Sequence, residues 1–167
     1  MIKKGEFWRI FTHALIHQNV FHLLLNAFIL LIFGREVEAF FLSHSPHSFW
    51  FLLLYVSAIP AAVTYRGIKN KNEADYRAVG SSGAVSAIIF AYIAIRPQQA
   101  FTIELFYPIS IPGIWLGIAF LVYSLAMSRK KQDTIGHDAH LFGAVWGYLF
   151  TLCVFPELWD HLMEAFH

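Results

Sequence analysis

The chain has 167 residues, of which 57% are hydrophobic and 14% charged. This amount of apolar surface exceeds what one small soluble core can bury, which indicates an integral protein of the lipid bilayer. Twelve lysine and arginine residues nearly balance eleven aspartate and glutamate residues, and no basic run is interleaved with aromatic residues, which excludes a typical nucleic-acid surface. The single cysteine, Cys153, excludes an intramolecular disulfide.

Five apolar stretches follow one another along the chain, each bounded by charged or turn residues. They cover residues 21–42, 48–65, 81–95, 112–128 and 137–155. A transmembrane helix needs roughly 20 residues, so the third stretch is short and its helix is expected to begin below the membrane surface. We therefore expect an all-α, polytopic transmembrane helix bundle, with residues 1–167 forming one multi-pass domain in the cell membrane.

The first stretch is preceded by His17 and carries His22 and Asn26 near its start. Residues four apart lie on one face of a helix, so these two side chains are expected to point the same way. Polar groups at membrane depth either hold helices together or line a site. The pair therefore indicates either interhelical hydrogen bonds or a cluster of donors that faces the interior of the bundle.

The third stretch begins with two serines flanked by glycines, Gly80-Ser81-Ser82-Gly83. Serine and glycine are common at helix starts, so a simple helix cap is one interpretation of this tetrapeptide. A glycine-flanked serine is also a typical setting for a nucleophile. Gly83, Ala87 and Ala91 recur every four residues and predict a smooth helix face that another backbone can approach closely.

The connection that follows the third stretch is rich in aromatic residues. Phe101, Phe106 and Tyr107 lie within residues 101–112. Amphipathic aromatic residues are typical of the membrane interface, which is the favoured interpretation. A substrate gate beside the fourth stretch is the alternative.

The fifth stretch carries His140 followed by Gly143 and Gly147. Its small face is expected to pack against the small face of the third stretch. Since both stretches begin near the same membrane surface, Ser82 and His140 are expected within hydrogen-bond reach. An imidazole there would accept the serine hydroxyl proton, as nucleophilic catalysis requires.

Nine histidines raise a second possibility, a membrane metal enzyme. The pairs His13 and His17, and His137 and His140, have spacings that place two ligands on one helical face, as in zinc or di-iron sites. The apolar stretches lack carboxylates at membrane depth, and a metal site gives Ser82 no role. We therefore expect no metal and no cofactor.

Taken in order, these residues resemble the rhomboid intramembrane serine proteases. The motifs that carry the resemblance run through most of the chain: Trp8-Arg9, then His17, His22 and Asn26 as H-x4-H-x3-N, Gly34 and Glu38 as G-x3-E, Gly80 to Gly83 as GxSG, and Ala139-His140 with Gly143 and Gly147 as AH-x2-G-x3-G. Each motif is short, whereas their joint order and spacing are specific.

The resemblance implies a serine endopeptidase that cleaves transmembrane protein substrates with a Ser82 and His140 dyad and without a third carboxylate. The side chains of His22 and Asn26 and the backbone N–H of Ser82 would hold the oxyanion. Structural roles are implied for His17, Gly80, Gly83, Glu38, Gly143 and Gly147. The alternative is a catalytically silent rhomboid-like protein that binds membrane clients, although this chain keeps both members of the dyad. The sequence does not indicate an oligomeric state.

The chain departs from the family pattern in three respects. Family members commonly have an aromatic residue four positions after the nucleophile, where this chain has Ser86. The family core has six spans, and the first of them is expected to be missing here. All lysine and arginine residues but Arg35 and Arg96 are expected at the end that carries Ser82. The positive-inside rule predicts that this end faces the cytoplasm, whereas the resemblance implies an outward-facing site.

Overall fold

The computed structural model of the chain describes residues 5–69, 79–104, 108–128 and 136–164. The elements follow in this order: α1 (Arg9–Thr12), a 3₁₀ turn (His13–Leu15), α2 (Val20–His44), α3 (Trp50–Lys69), α4 (Ser82–Ile95), β1 (Ala100–Glu104), β2 (Pro108–Pro112), α5 (Gly113–Ser128), α6 (His137–Val154) and α7 (Leu158–Glu164). The predicted helical bundle is confirmed, and each of the five apolar stretches coincides with one of its long helices.

Helix α4 is the centre of the bundle. Eleven of its fourteen residues are buried, and it packs against α2, α3 and α6. Its buried side chains belong to the same hydrophobic cluster as Val37 and Phe41 from α2, Leu54 from α3 and Leu152 from α6. A helix enclosed by other helices does not have to match the bilayer thickness itself, which explains why α4 is the shortest of the five.

The outer helices expose large apolar side chains, among them Leu24, Leu31, Leu52, Trp115 and Val122. Such a surface is stable in lipid and costly in water. Within the described residues, α2 alone is long and apolar enough to cross a bilayer by length and composition, and 50–64, 82–95 and 113–128 are shorter apolar helices. That all five helices cross the membrane stays a prediction.

A two-stranded antiparallel hairpin adds to the helical architecture in the aromatic connection. Phe101 pairs with Ile111, and the hydroxyls of Thr102 and Ser110 lie 2.9 Å apart across the strands. The ring of Phe101 packs against Tyr92 with a centroid separation of 6.1 Å. The hairpin therefore lies at the end of α4 remote from Ser82. Phe106 and Tyr107, on which the interfacial and gate interpretations also rest, are outside the described residues.

The prediction of which end faces the cytoplasm rests on basic residues that mostly lie outside the described residues as well. These are Lys3, Lys4, Lys71, Arg77, Arg129, Lys130 and Lys131. Arg96 is described, and its guanidinium lies 3.4 Å from the carboxylate of Glu36. This exposed ion pair joins the end of α4 to α2. It contributes little stability, as is usual for pairs in contact with solvent.

Helices α4 and α6 touch backbone to backbone along their small faces. A Cβ atom added at Gly143 would collide with the carbonyl oxygen of Gly83, and one added at Gly147 would collide with that of Ala87. The predicted close approach of the two helices is thus present. Because a carbonyl oxygen cannot rotate away as a side chain can, the contact requires glycine at both positions of α6.

Replacement of Gly147 with alanine is expected to destabilise the protein by about 3 kcal/mol or more, the upper part of the range for overpacking. The added methyl group forces α4 and α6 apart, which outweighs the roughly 1 kcal/mol that alanine gains over glycine in a helix. The midpoint of thermal unfolding in detergent should fall accordingly.

Gly34→Ala is the matched control for this substitution. Its new Cβ atom would meet the far ends of the Leu30 and Phe51 side chains at 3.3 Å, and those atoms can shift by small rotations. We expect an unfolding midpoint close to that of the wild type. Equal midpoints for Gly34→Ala and Gly147→Ala would contradict the argument from backbone contact.

Candidate active site

Ser82 is the first residue of α4 and follows a tight turn. Gly80 has a φ of +93°, in the left-handed region that favours glycine. The Gly80 N–H donates to the His13 carbonyl at 3.0 Å, and the first bond of the helix runs from the Val85 N–H to the Ser81 carbonyl at 2.9 Å. The backbone N–H of Ser82 therefore lies at a helix N-terminus, where the helix itself supplies no acceptor.

The side chain of His140 lies against Ser82, although 58 positions separate the two in sequence. Its Nε2 atom is 2.8 Å from the Ser82 Oγ, a hydrogen-bond distance, and both side chains are half-buried. His140 lies one turn before Gly143, and Gly143 is in contact with Gly83. The close approach of α4 and α6 therefore explains the short distance between Nε2 and Oγ. A neutral imidazole placed there is able to accept the hydroxyl proton.

His22 lies against the turn that precedes Ser82. The side chain of Asn19 caps α2 by accepting the His22 backbone N–H at 2.8 Å, which fixes the start of the helix. A Cβ atom added at Gly80 would lie only 2.8 Å from the His22 Cε1 atom. The imidazole thus occupies the space that a side chain at position 80 would need, which gives Gly80 a second reason to be glycine.

Asn26 follows one turn later on the same face of α2 and is 6% exposed. Within the described part of the chain, neither its Nδ2 nor the buried Nδ1 of His22 has a hydrogen-bond partner. A buried polar group without a partner costs about 1–3 kcal/mol. Two such groups one turn apart on α2, the first of them against the nucleophile turn, indicate a place where an acceptor or a water molecule binds.

His17 and His13 support the same turn from the segment before α2. The Nε2 atom of His17 lies 3.4 Å from the Ser81 Oγ, and its ring meets that of His22 edge to face at 5.3 Å. The role of His13 as a support of the nucleophile turn was not predictable from the sequence, because a backbone carbonyl that accepts a hydrogen bond has no residue signature. Burial lowers the pKa of His13, so its imidazole is neutral near pH 7.

The remaining predicted residues lie away from the dyad or serve packing. Glu38 is exposed, and the ion pair at that end of the bundle uses Glu36. A Cβ atom added at Gly83 would come within 2.5 Å of the Ala62 Cβ, so α3 also closes on this turn. Among the residues with described positions, no cluster of three or more His, Cys, Asp or Glu side chains is arranged to hold a metal ion.

The relatives that this chain matches among known proteins are named as rhomboid proteins. The chain is 28% identical to Rhomboid-related protein 1 of Caenorhabditis elegans, over 96% of the chain and 44% of that protein. It is 29% identical to Putative rhomboid protease YdcA of Bacillus subtilis, over 92% of the chain and 70% of that protein. Identity to Rhomboid protease GlpG of Haemophilus influenzae is 30%, over 87% of the chain and 70% of that protein.

The chain thus spans less than half the length of the worm relative and 70% of each bacterial one. No solved structure matches it. The sequence model of the Rhomboid domain matches residues 4–157, which includes every motif named above. This chain belongs to the rhomboid family of integral membrane proteins.

Proposed function

We propose that this chain is a multi-pass intramembrane serine endopeptidase of the cell membrane that cleaves transmembrane protein substrates with Ser82 and His140. The observation that carries the proposal is the 2.8 Å separation of the His140 Nε2 and Ser82 Oγ atoms. Two bacterial relatives are named as rhomboid proteases, which supports the same reaction class.

The geometry supports a two-step acyl transfer. The Ser82 oxygen attacks the carbonyl carbon of the scissile peptide bond while His140 takes the hydroxyl proton. The bond from carbon to nitrogen then breaks, and His140 returns the proton to the leaving amine. In the second step His140 takes a proton from water, and the water oxygen attacks the acyl carbon. The ester bond to the Ser82 oxygen breaks, and His140 returns the proton to that oxygen, which releases the acid product and restores Ser82.

The side chains of His22 and Asn26 and the Ser82 N–H are the proposed donors to the oxyanion. Two observations support this assignment: His22 lies beside the nucleophile turn, and the buried Nδ2 of Asn26 has no hydrogen-bond partner among the described residues. Such donors gain strength where water is excluded, and each contributes about 3 kcal/mol in soluble serine proteases. His17 and the glycines at 80, 83, 143 and 147 are proposed to support this site.

A serine-directed phosphonate probe is expected to label the folded protein at Ser82, with the modified peptide identified by mass spectrometry. His140→Ala should slow the labelling by about 100-fold or more, because the general base is lost. Ser81→Ala is the matched control, since Ser81 is the neighbouring hydroxyl and lies near His17. Absence of label at Ser82 in a folded preparation would favour a silent member of the family that binds membrane clients.

A further inference from the structure

Two aromatic residues of α5 face two histidines of α6 near the dyad. The ring of Phe120 lies 6.4 Å from that of His140, tilted by 31°. The ring of Tyr123 meets His137 edge to face at 5.2 Å, and His137 in turn meets His140 edge to face at 6.0 Å. Since residues three apart share a helix face, α5 and α6 contact each other at two successive positions on each helix.

Helix α4 offers no ring at the place one turn after the nucleophile. Ser86 occupies that position, is buried, and donates its hydroxyl to the Ser82 carbonyl at 2.9 Å. Its side chain is therefore engaged with the backbone of its own helix. An imidazole has a flat apolar face that is best packed against another ring, and in this chain such a ring near His140 comes from α5.

Phe120 is itself held by the core. Its ring lies 5.7 Å from that of Phe90 on α4, and Phe90 is 5% exposed. Gly117, one turn before Phe120, approaches α4 so closely that an added Cβ atom would lie 3.1 Å from the Ile93 Cδ1. The backbone of α5 thus lies against the side chains of Ile93 and Phe90 on α4, one turn before Phe120.

We infer that Phe120 is a positioning residue for the general base. It restricts the rotation of the His140 imidazole and so keeps the Nε2 atom directed at the Ser82 Oγ. The inference rests on the proposed function for its catalytic consequence, whereas the orientation of the ring is measurable without any substrate. Because Phe120 acts through His140, its loss affects the chemical step and leaves substrate binding unchanged.

The test compares Phe120→Leu with the wild type in steady-state cleavage of a transmembrane reporter. We expect kcat to fall roughly tenfold, as for a misplaced catalytic group, with KM unchanged. Phe120→Tyr keeps the ring and should keep the wild-type kcat. Phe33→Leu is the matched control, since Phe33 packs at 5.2 Å from the Tyr92 ring at the other end of the bundle. It should keep the wild-type kcat.

Histidine ¹⁵N NMR of the purified protein gives the readout that needs no substrate. Phe120→Leu should change the His140 ring signals in the way that loss of the Nε2 hydrogen bond requires, and Phe33→Leu should not. Phe120→Met, which keeps the volume without the ring, serves if the leucine variant does not fold.

Unchanged His140 signals in the folded variants, or equal kcat for Phe120→Leu and Phe33→Leu, would overturn the inference and leave the proposed function standing. If the wild-type protein shows no cleavage that depends on Ser82, the proposed function is overturned instead. The NMR comparison still decides whether Phe120 orients His140.

Discussion

Ser82→Ala and His140→Ala are each expected to lower cleavage of a transmembrane reporter by about 10⁴-fold or more, which abolishes it in an ordinary assay. The nucleophile and the base act as one unit through the bond between Nε2 and Oγ at 2.8 Å. The double variant should therefore be no less active than either single variant, because the second substitution removes nothing that still works. Cleavage is measured on the purified protein in liposomes that contain the reporter.

Ser81→Ala is the control that distinguishes loss of the nucleophile from a general need for serine in this turn. Ser81 adjoins Ser82 in the same turn and is buried, whereas Ser82 is half-buried, so loss of the Ser81 hydroxyl should perturb the turn at least as much. We expect it to keep most of the wild-type activity. Undiminished cleavage by Ser82→Ala or by His140→Ala would refute the proposed mechanism.

The helices of the fold were predictable because lipid imposes long apolar segments. The stretch at 81–95 matches α4 within one residue, whereas α3 continues to Lys69, four residues beyond the predicted 65. An apolar stretch ends where polar residues begin, whereas the backbone hydrogen bonds of a helix can continue past that point. The hairpin at 100–112 was not predicted, because its pairing joins two short segments whose alternating pattern is too brief to distinguish from a loop.

Part of the site was predictable from spacing. Glycines four apart on α6 and small residues four apart on α4 predicted the close approach that brings His140 to Ser82. The packing of Phe120 near the His140 ring depends on the position of α5 relative to α4 and α6. Residue spacing within one helix does not predict that position. The bond from Gly80 to the His13 carbonyl is equally invisible, since every residue carries the same acceptor.

Asn26→Ala and His22→Ala are each expected to lower kcat by about 100-fold to 1,000-fold, the effect of removing one oxyanion donor from a serine protease. KM should change little, because the negative charge develops only in the transition state. His44→Ala is the matched control for His22, since His44 is an exposed histidine at the other end of α2. Its kcat should equal that of the wild type.

Stability distinguishes this role of Asn26 from the alternative of an interhelical hydrogen bond. The Asn26 amide is buried, and its Nδ2 has no partner within the described residues, so the resting protein bears the cost of that donor. Removal of the amide should therefore leave the thermal unfolding midpoint at or above the wild-type value while kcat falls. An amide that bonded α2 to another helix would give the opposite result, a lower midpoint with a parallel loss of activity. Activity and stability that change in opposite directions are expected of a donor held ready for a charge that exists only during the reaction.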